Sequence, residues 1–230
     1  MSLNEHESED RQKEYYAITK AMDLNARQQD IKDRLLDAAD RLLARYGYRK
    51  MTMDDLANEV GIGKGTIYLH FRSKEDLVLS HVDRVIFRVI ESLERIAQGN
   101  LSPAEKVRAM LVSRVMLRFD SVQHFPESLS EILRDLRISV LERRQHHFRQ
   151  EAKVFAKALR QGERDGVFNR HDHFAIAEAL VDASNSLLPF NLSTRELGKR
   201  GEVERRVSSI AAIVLSGLVK HGRVSKRQAR

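Results

Sequence analysis

Cysteine is absent from the 230 residues, which removes disulfides, thiolate zinc sites and a cysteine nucleophile, and accords with a reducing compartment. Proline occurs only three times, so little interrupts a helical chain. A long hydrophobic run is missing too. The longest nearly unbroken apolar stretch, Ile210 to Val219, contains Ser216 and Gly217 and reaches only about half of the ~20 residues that a membrane span needs. The chain opens on Glu5, Glu7, Glu9 and Asp10 rather than on an apolar leader-like stretch. The expectation is a cytoplasmic protein with no membrane partner.

Catalytic signatures are also missing. Gly61-Ile-Gly-Lys-Gly-Thr66 looks like a phosphate loop, but Asn58 stands where the first glycine belongs and Gly65 follows Lys64 where Ser or Thr is required. No Gly-x-Ser-x-Gly elbow and no His-Glu-x-x-His helix occurs. His146-His147 and His171-Asp172-His173 would bind a metal only with a third ligand from elsewhere, and adjacent histidines at helix ends are ordinarily solvated. The expectation is a non-enzyme with no cofactor and no metal.

The formal net charge of +7 suggests an acidic partner, yet its location weakens that argument. Residues 1–26 hold three basic and six acidic groups, and residues 27–79 hold ten and nine. Residues 80–194 hold seventeen and fifteen, whereas residues 195–230 hold ten and three. The excess thus lies at the end, with Lys220, Arg223, Lys226, Arg227 and Arg230, where a solvated tail explains it as well as a phosphate contact does.

Apolar residues recur at helical spacing, so the fold class is read as all-α with about nine helices. Residues 1–26, including Arg11 to Leu24, have the makings of a loose helix but carry few apolar anchors, and they read as a mobile arm. From Arg27 a helix presents Ile31, Leu35, Ala38, Ala39, Leu42, Leu43 and Tyr46 on one stripe and stops at Gly47. Thr52-x-x-Asp55 signals a second helix ending near Val60, and Gly61 turns the chain into a third running from about Gly63 to Phe71. Ser73-x-x-Asp76 opens a long fourth helix, and Ser102-Pro-Ala-Glu105 a fifth reaching about Phe119. Further helices are expected over 126–135, 140–165, 172–188 and 202–221. The expected organisation is an arm (1–26), a helix-turn-helix domain (27–75), a helical ligand-binding and dimerisation domain (76–222) and a basic tail (223–230).

Residues 52–71 have the spacing of a helix-turn-helix. Ala57 lets two helices approach, Gly61 permits the turn, and Leu56, Val60, Ile67 and Phe71 close a core. That leaves Lys64, Gly65, Thr66, Tyr68, Leu69 and His70 facing outward. Gly65 allows close backbone approach to a phosphate or a base edge. Thr66 offers a hydroxyl and a methyl, and Lys64 a cation. Tyr68, His70 and Lys74 are placed for phosphate, as are Thr52 and Met53 at the start of the brace helix.

The run Thr52-Met-Asp-Asp-Leu-Ala57, Val60-Gly-Ile-Gly-Lys-Gly-Thr-Ile-Tyr-Leu-His-Phe71 and Ser73-Lys-Glu-Asp-Leu77 resembles the tetracycline-repressor family of bacterial regulators. The resemblance covers about residues 27–80, and Leu69 stands where relatives often carry Tyr, Trp or another polar residue. It implies a homodimer on a palindromic operator of double-stranded DNA, released by a small-molecule effector of unknown identity. The alternatives are an activator on the same fold, or a helical ligand-binding protein or enzyme without a DNA role.

Two helices behind the front domain are apolar on more than one face, as a self-complementary dimer patch requires. The candidate interface is Ala175, Ala179, Asp182, Ala183 and Leu187 with Ile210, Val214 and Leu218. The candidate effector pocket gathers Phe87, Met110, Met116, Phe119, Phe125, Phe148 and Phe155, with Arg88, Arg114 and Arg137 as anion-binding groups. Arg118 and Arg134 lie in the same region, and an inward arginine would favour an anionic or acyl-type ligand.

Overall fold

The computed structural model describes residues 3–123, 126–189 and 198–219. Among them nine helices follow in order: α1 (Leu3–Lys50), α2 (Met53–Val60), α3 (Lys64–His70), α4 (Lys74–Gln98), α5 (Pro103–Val122), α6 (Pro126–Asp135), α7 (Arg137–Arg164), α8 (His173–Asn185) and α9 (Arg200–Leu218). The one β-type pairing among the described residues is a single bridge between Phe168 and Val219. The class is therefore all-α. No helix among the described residues is long and apolar enough to cross a membrane.

Local chemistry sets the helix starts. Ser102 accepts from the Glu105 amide at 3.4 Å, and Glu105 Oε2 accepts from the Ser102 amide at 2.9 Å, so both orphan donors of the first turn of α5 are satisfied. Asp172 caps α8 by accepting from the amides of Phe174 and Ala175. At α7 the helix begins at Arg137, ahead of the expected Val140, with Leu136 in the cap position.

The expected arm is helical over its described residues. α1 is helical from Leu3, and Gly47, with φ 80° and ψ 165°, interrupts it only near its end. No glycine precedes Gly47 and no proline precedes Pro103, so nothing opposes propagation, which adds one hydrogen bond per residue fixed once a helix is nucleated. Tyr15, Tyr16, Met22 and Leu24 stay exposed along this extension. The basic tail and residue 221 lie outside the described residues.

The chain forms two units. One comprises residues 1–46 and 50–78, the other residues 47–49 and 79–230, so one boundary falls inside α4. The front unit buries Leu35, Leu42 and Leu43 of α1, Leu56 of α2, Ile67 of α3 and Leu77 of α4. In the rear unit α5 lies against α7, α8 and α9, and α7 against α8. Val107, Met110, Leu111 and Val115 of α5 meet Phe155 and Leu159 of α7, Leu180 of α8 and Val207 of α9 in one core.

Two features of the rear unit leave no slack. Gly162, in the last turn of α7, lies against the Phe168 ring. Its carbonyl accepts from the amides of Val167 (2.9 Å) and Phe168 (3.1 Å), and an added Cβ would sit 2.3 Å from Phe168 Cδ2 and 2.9 Å from Pro103 Cβ. The second is a buried ionic triad. Glu151 of α7 accepts from Arg114 Nε at 2.5 Å and from Arg118 Nη2, and none of the three is more than 1% exposed. Burial pushes the Glu151 carboxyl up, but the two guanidinium charges outweigh it and hold the group below its ordinary value.

Gly162→Ala is expected to destabilise the protein by roughly 1–3 kcal/mol, the usual cost of overpacking a filled site, read from the shift in urea midpoint at constant slope. Glu151→Gln, which leaves two buried guanidinium groups without a counter-charge, is expected to cost about 3–5 kcal/mol in the same measurement.

Candidate nucleic-acid interface

The brace helix α2 is fixed at both ends. Thr52 accepts from the Asp55 amide at 3.1 Å, while Asp55 Oδ2 accepts from the Thr52 amide at 2.9 Å and its hydroxyl at 2.7 Å. The Thr52 hydroxyl and amide together hold the Asp55 carboxyl below its ordinary value. At the far end Gly61 takes φ 73°, and its amide and that of Ile62 both donate to Ala57 O. Gly61 is where the left-handed turn requires a residue without Cβ. Arg34 of α1 donates to Val60 O at 3.3 Å, and Arg41 pairs with Glu59 at 2.8 Å, so α1 holds the C-terminal end of α2.

The seven residues of α3 divide cleanly. Ile67 and Phe71, one turn apart, are 0% and 1% exposed, whereas Tyr68 and Leu69 are 47% and 83% exposed. Thr66 and His70 are half-buried beside them. Gly65 faces open space, with nothing within 4 Å of where a Cβ would stand. The outward face expected from the spacing is the one the structure presents. Two cations are already engaged: Lys64 Nζ of α3 pairs with Asp54 Oδ2 at 2.8 Å, and Lys74 Nζ at the start of α4 donates to Met51 O at 3.3 Å. The hydrogen bond to Asp54 is the leading cause that raises the Lys64 ammonium above its ordinary range.

Met53 is a correction. It is the first residue of α2, and the stripe Met53, Leu56, Ala57 turns inward, leaving Met53 only 7% exposed. Its side chain packs in the front core instead of facing a ligand. Asp54 and Arg34 were missed because their roles depend on residues ten and 26 positions away in the sequence.

In the rear unit the expected pocket residues scatter. Phe87 and Arg88 lie on the exposed face of α4, since Ile86, Val89 and Leu93 take the buried one. Arg137, the first residue of α7, is exposed as well. Met110, Met116, Phe119 and Phe155 fill the close-packed core, and Phe125 lies outside the described residues. Arg114 is inward but held by the triad. Phe148 lines a cavity, together with Leu79, Val82, Ile86, Arg118, Val140, Arg143, Arg144 and His147.

The expected dimer residues divide in the same way. Ala175, Ala179, Asp182 and Ala183 form an exposed stripe on α8. Leu187 and Leu218 are correctly apolar but turn into the core of their own unit, and Ile210 and Val214 are half-buried against it. The large exposed apolar side chain of α9 is Ile213, 72% accessible, one residue off the expected stripe. His146 bonds Gln150, His147 bonds Asp83, and His173 pairs with Glu163. Among the described residues no three His, Asp or Glu gather within metal-binding range.

Comparison with known proteins bears on the front unit above all. Residues 35–80 match the family model described as bacterial regulatory proteins, tetR family. An HTH-type transcriptional regulator of Haemophilus influenzae is 36% identical over 66 residues, which span 29% of this chain and 35% of that protein. The HTH-type transcriptional repressor KstR2 of Mycobacterium tuberculosis is 26% identical over 141 residues, 58% of this chain and 67% of the repressor. The chain thus spans about a third of the length of the first of these relatives. Among solved structures, a TetR-family transcriptional regulator from Pectobacterium atrosepticum superimposes with a TM-score of 0.66 over 86% of this chain and 98% of its own, at 21% identity. At that identity the likeness speaks for the fold alone. On residues 35–80, then, the chain carries the N-terminal domain of the tetR family of bacterial regulatory proteins.

Proposed function

We propose that this protein is a transcription regulator that binds double-stranded DNA as a homodimer, a repressor released from a palindromic operator by a small molecule held in its rear unit. One observation carries the reading. α3 keeps a glycine in an exposed helical position where nothing in the protein occupies the space of a Cβ. Glycine there costs the helix roughly 0.5–1 kcal/mol relative to alanine, and nothing inside the chain needs it. A second molecule approaching the backbone does.

Around Gly65 the face fits the major groove. Thr66 and Lys64 reach base edges, Leu69 offers a methyl-bearing surface to thymine, and Tyr68 donates to phosphate. Lys64 reaches DNA by exchanging Asp54 for a phosphate or a guanine. Thr52, capped by Asp55, holds the amide end of α2 in place for a backbone phosphate.

Dimerisation follows from the operator geometry, because two half-sites about 34–36 Å apart require two recognition helices on a two-fold axis. The stripe Ala175, Ala179 and Ala183 on α8 allows close helix approach, and Ile213 on α9 supplies an apolar contact. For release, α4 is the continuous element. Leu79, Val82 and Ile86 line the rear cavity, and the same helix begins at Lys74 beside the recognition module. An effector shifts the equilibrium by the ratio of its affinities for the two states, and by nothing else.

Gly65→Ala is expected to raise thermal stability slightly while weakening operator binding by at least about tenfold, since a methyl group blocks close approach. Equal operator affinity in the variant sinks the reading, and affinity is compared at several salt concentrations so that phosphate contacts are separated from base contacts. Ala183→Arg is expected to convert dimer to monomer in sedimentation velocity and to abolish cooperative occupation of both half-sites. A variant that remains dimeric removes α8 from the interface.

A further inference from the structure

The first turn of α2 carries two carboxylates, and only one of them serves the cap. Asp55 accepts from the amide and the hydroxyl of Thr52 at 2.9 and 2.7 Å. Asp54 has no part in that exchange and reaches across to the first residue of α3, where its Oδ2 accepts from Lys64 Nζ at 2.8 Å. Both side chains are open to solvent, Asp54 at 66% and Lys64 at 46%. An ion pair this exposed contributes little to stability, and a cation in the first turn of a helix opposes the helix dipole. α3 has no acidic residue of its own in that turn. The fold therefore gives no strong reason for a cation at position 64, whereas the position borders the face on which Gly65, Tyr68 and Leu69 point outward.

What the pair does toward DNA follows from its donors and its charge. An ammonium has three N–H donors; Asp54 holds one and leaves two. The pair as a whole carries no net charge. Exchange of Asp54 for a phosphate replaces one ammonium–anion contact by another and turns a bare carboxylate towards the DNA backbone, so it gains little on any sequence. A guanine requires no complete exchange. Its O6 and N7 are neutral acceptors side by side on the major-groove edge, and the two remaining donors of Lys64 match them while Asp54 keeps the third. Adenine places an amino donor beside its N7, which an ammonium cannot satisfy. The charge of the front unit points the same way. Residues 27–79 hold ten basic and nine acidic groups, too near balance for a general attraction to phosphate to dominate.

We propose that Asp54 makes Lys64 a reader of guanine instead of a phosphate contact: it cancels the charge that would bind every sequence alike and leaves two donors for one base edge. Asp54 is a positioning residue, since it acts through Lys64. The proposal rests on the reading of α3 as the recognition helix, and it adds which base Lys64 selects and which residue makes it selective.

The test uses the full chain and two duplexes, one recovered by the wild-type protein from a pool of random sequences and one of the same composition with its sequence shuffled. Affinity for each is measured over a range of salt concentrations for the wild type, Asp54→Asn, Lys64→Met and the double variant. Both positions are exposed and the Thr52–Asp55 cap is untouched, so all four proteins fold. On the shuffled duplex Lys64→Met is expected to leave the salt slope unchanged, because Lys64 brings no uncancelled charge. Asp54→Asn is expected to tighten binding several-fold there and to steepen the slope by about 0.9 for each protomer bound, and neither change appears in the double variant. On the selected duplex Lys64→Met is expected to cost about tenfold. 7-Deazaguanine, which lacks the N7 acceptor, is placed at each half-site guanine in turn and is expected to shrink that cost at one of them. A Lys64→Met protein with a flatter salt slope reveals a phosphate contact made in spite of Asp54 and overturns the proposal. So does an Asp54→Asn effect that persists in the double variant, or a selected duplex in which no guanine responds. A wild-type protein that binds both duplexes equally, or neither, removes the DNA reading and this proposal with it, an outcome set apart by its appearance before any substitution is made.

Discussion

The arrangement of α3 depends on two side chains one helical turn apart. Ile67 and Phe71 are buried in the front core, and once they are, the geometry of a seven-residue helix leaves Gly65, Tyr68 and Leu69 no direction but outward. The helix is too short to be stable by itself, so its existence and its orientation have the same cause. The turn before it, with Gly61 in the left-handed region and two amides on Ala57 O, sets where it begins. Arg34 and Arg41 of α1 then hold the C-terminal end of α2.

In the rear unit a different constraint governs. α5 is buried against three helices, yet it carries two arginines on the buried side. Their single carboxylate comes from α7 and their neutral acceptors from the end of α8, so one charge cluster ties three elements together while remaining one charge out of balance. An apolar replacement of the whole triad would pack at least as stably. What the charges add is a set of directed bonds between α5 and α7, which an apolar contact does not supply.

Much of the front unit was legible from residue order, because its determinants are local. A Thr-x-x-Asp cap, a glycine after a short apolar stripe and an i, i+4 pair of inward residues act over distances of one or two turns. Met53 follows the same logic: at the first position of α2 it shares the inward stripe with Leu56 and Ala57. The N-terminal extension lacks apolar anchors, yet with no glycine or proline before Gly47 nothing in its residue order interrupts a helix. In the rear unit the aromatic and methionine residues did not identify the pocket, since the same side chains serve a core equally well. Arg114 and Arg118, spaced i, i+4 within an apolar stripe, were a signal of inward charge. Glu151 carried the matching one, flanked by Ala152, Val154 and Phe155 on α7.

By itself, then, the order of residues determined the helical class, the helix-turn-helix and the outward face of its second helix, since all of these are decided by hydrogen bonds and side-chain spacing within a few residues. Tertiary packing alone decided that Phe87 and Arg88 face away from the interior, that Leu187 and Leu218 belong to their own core, and that Arg118 meets Glu151 beside a cavity. These depend on which face of each long helix its neighbours cover, and a helix that is apolar over more than one face does not say which.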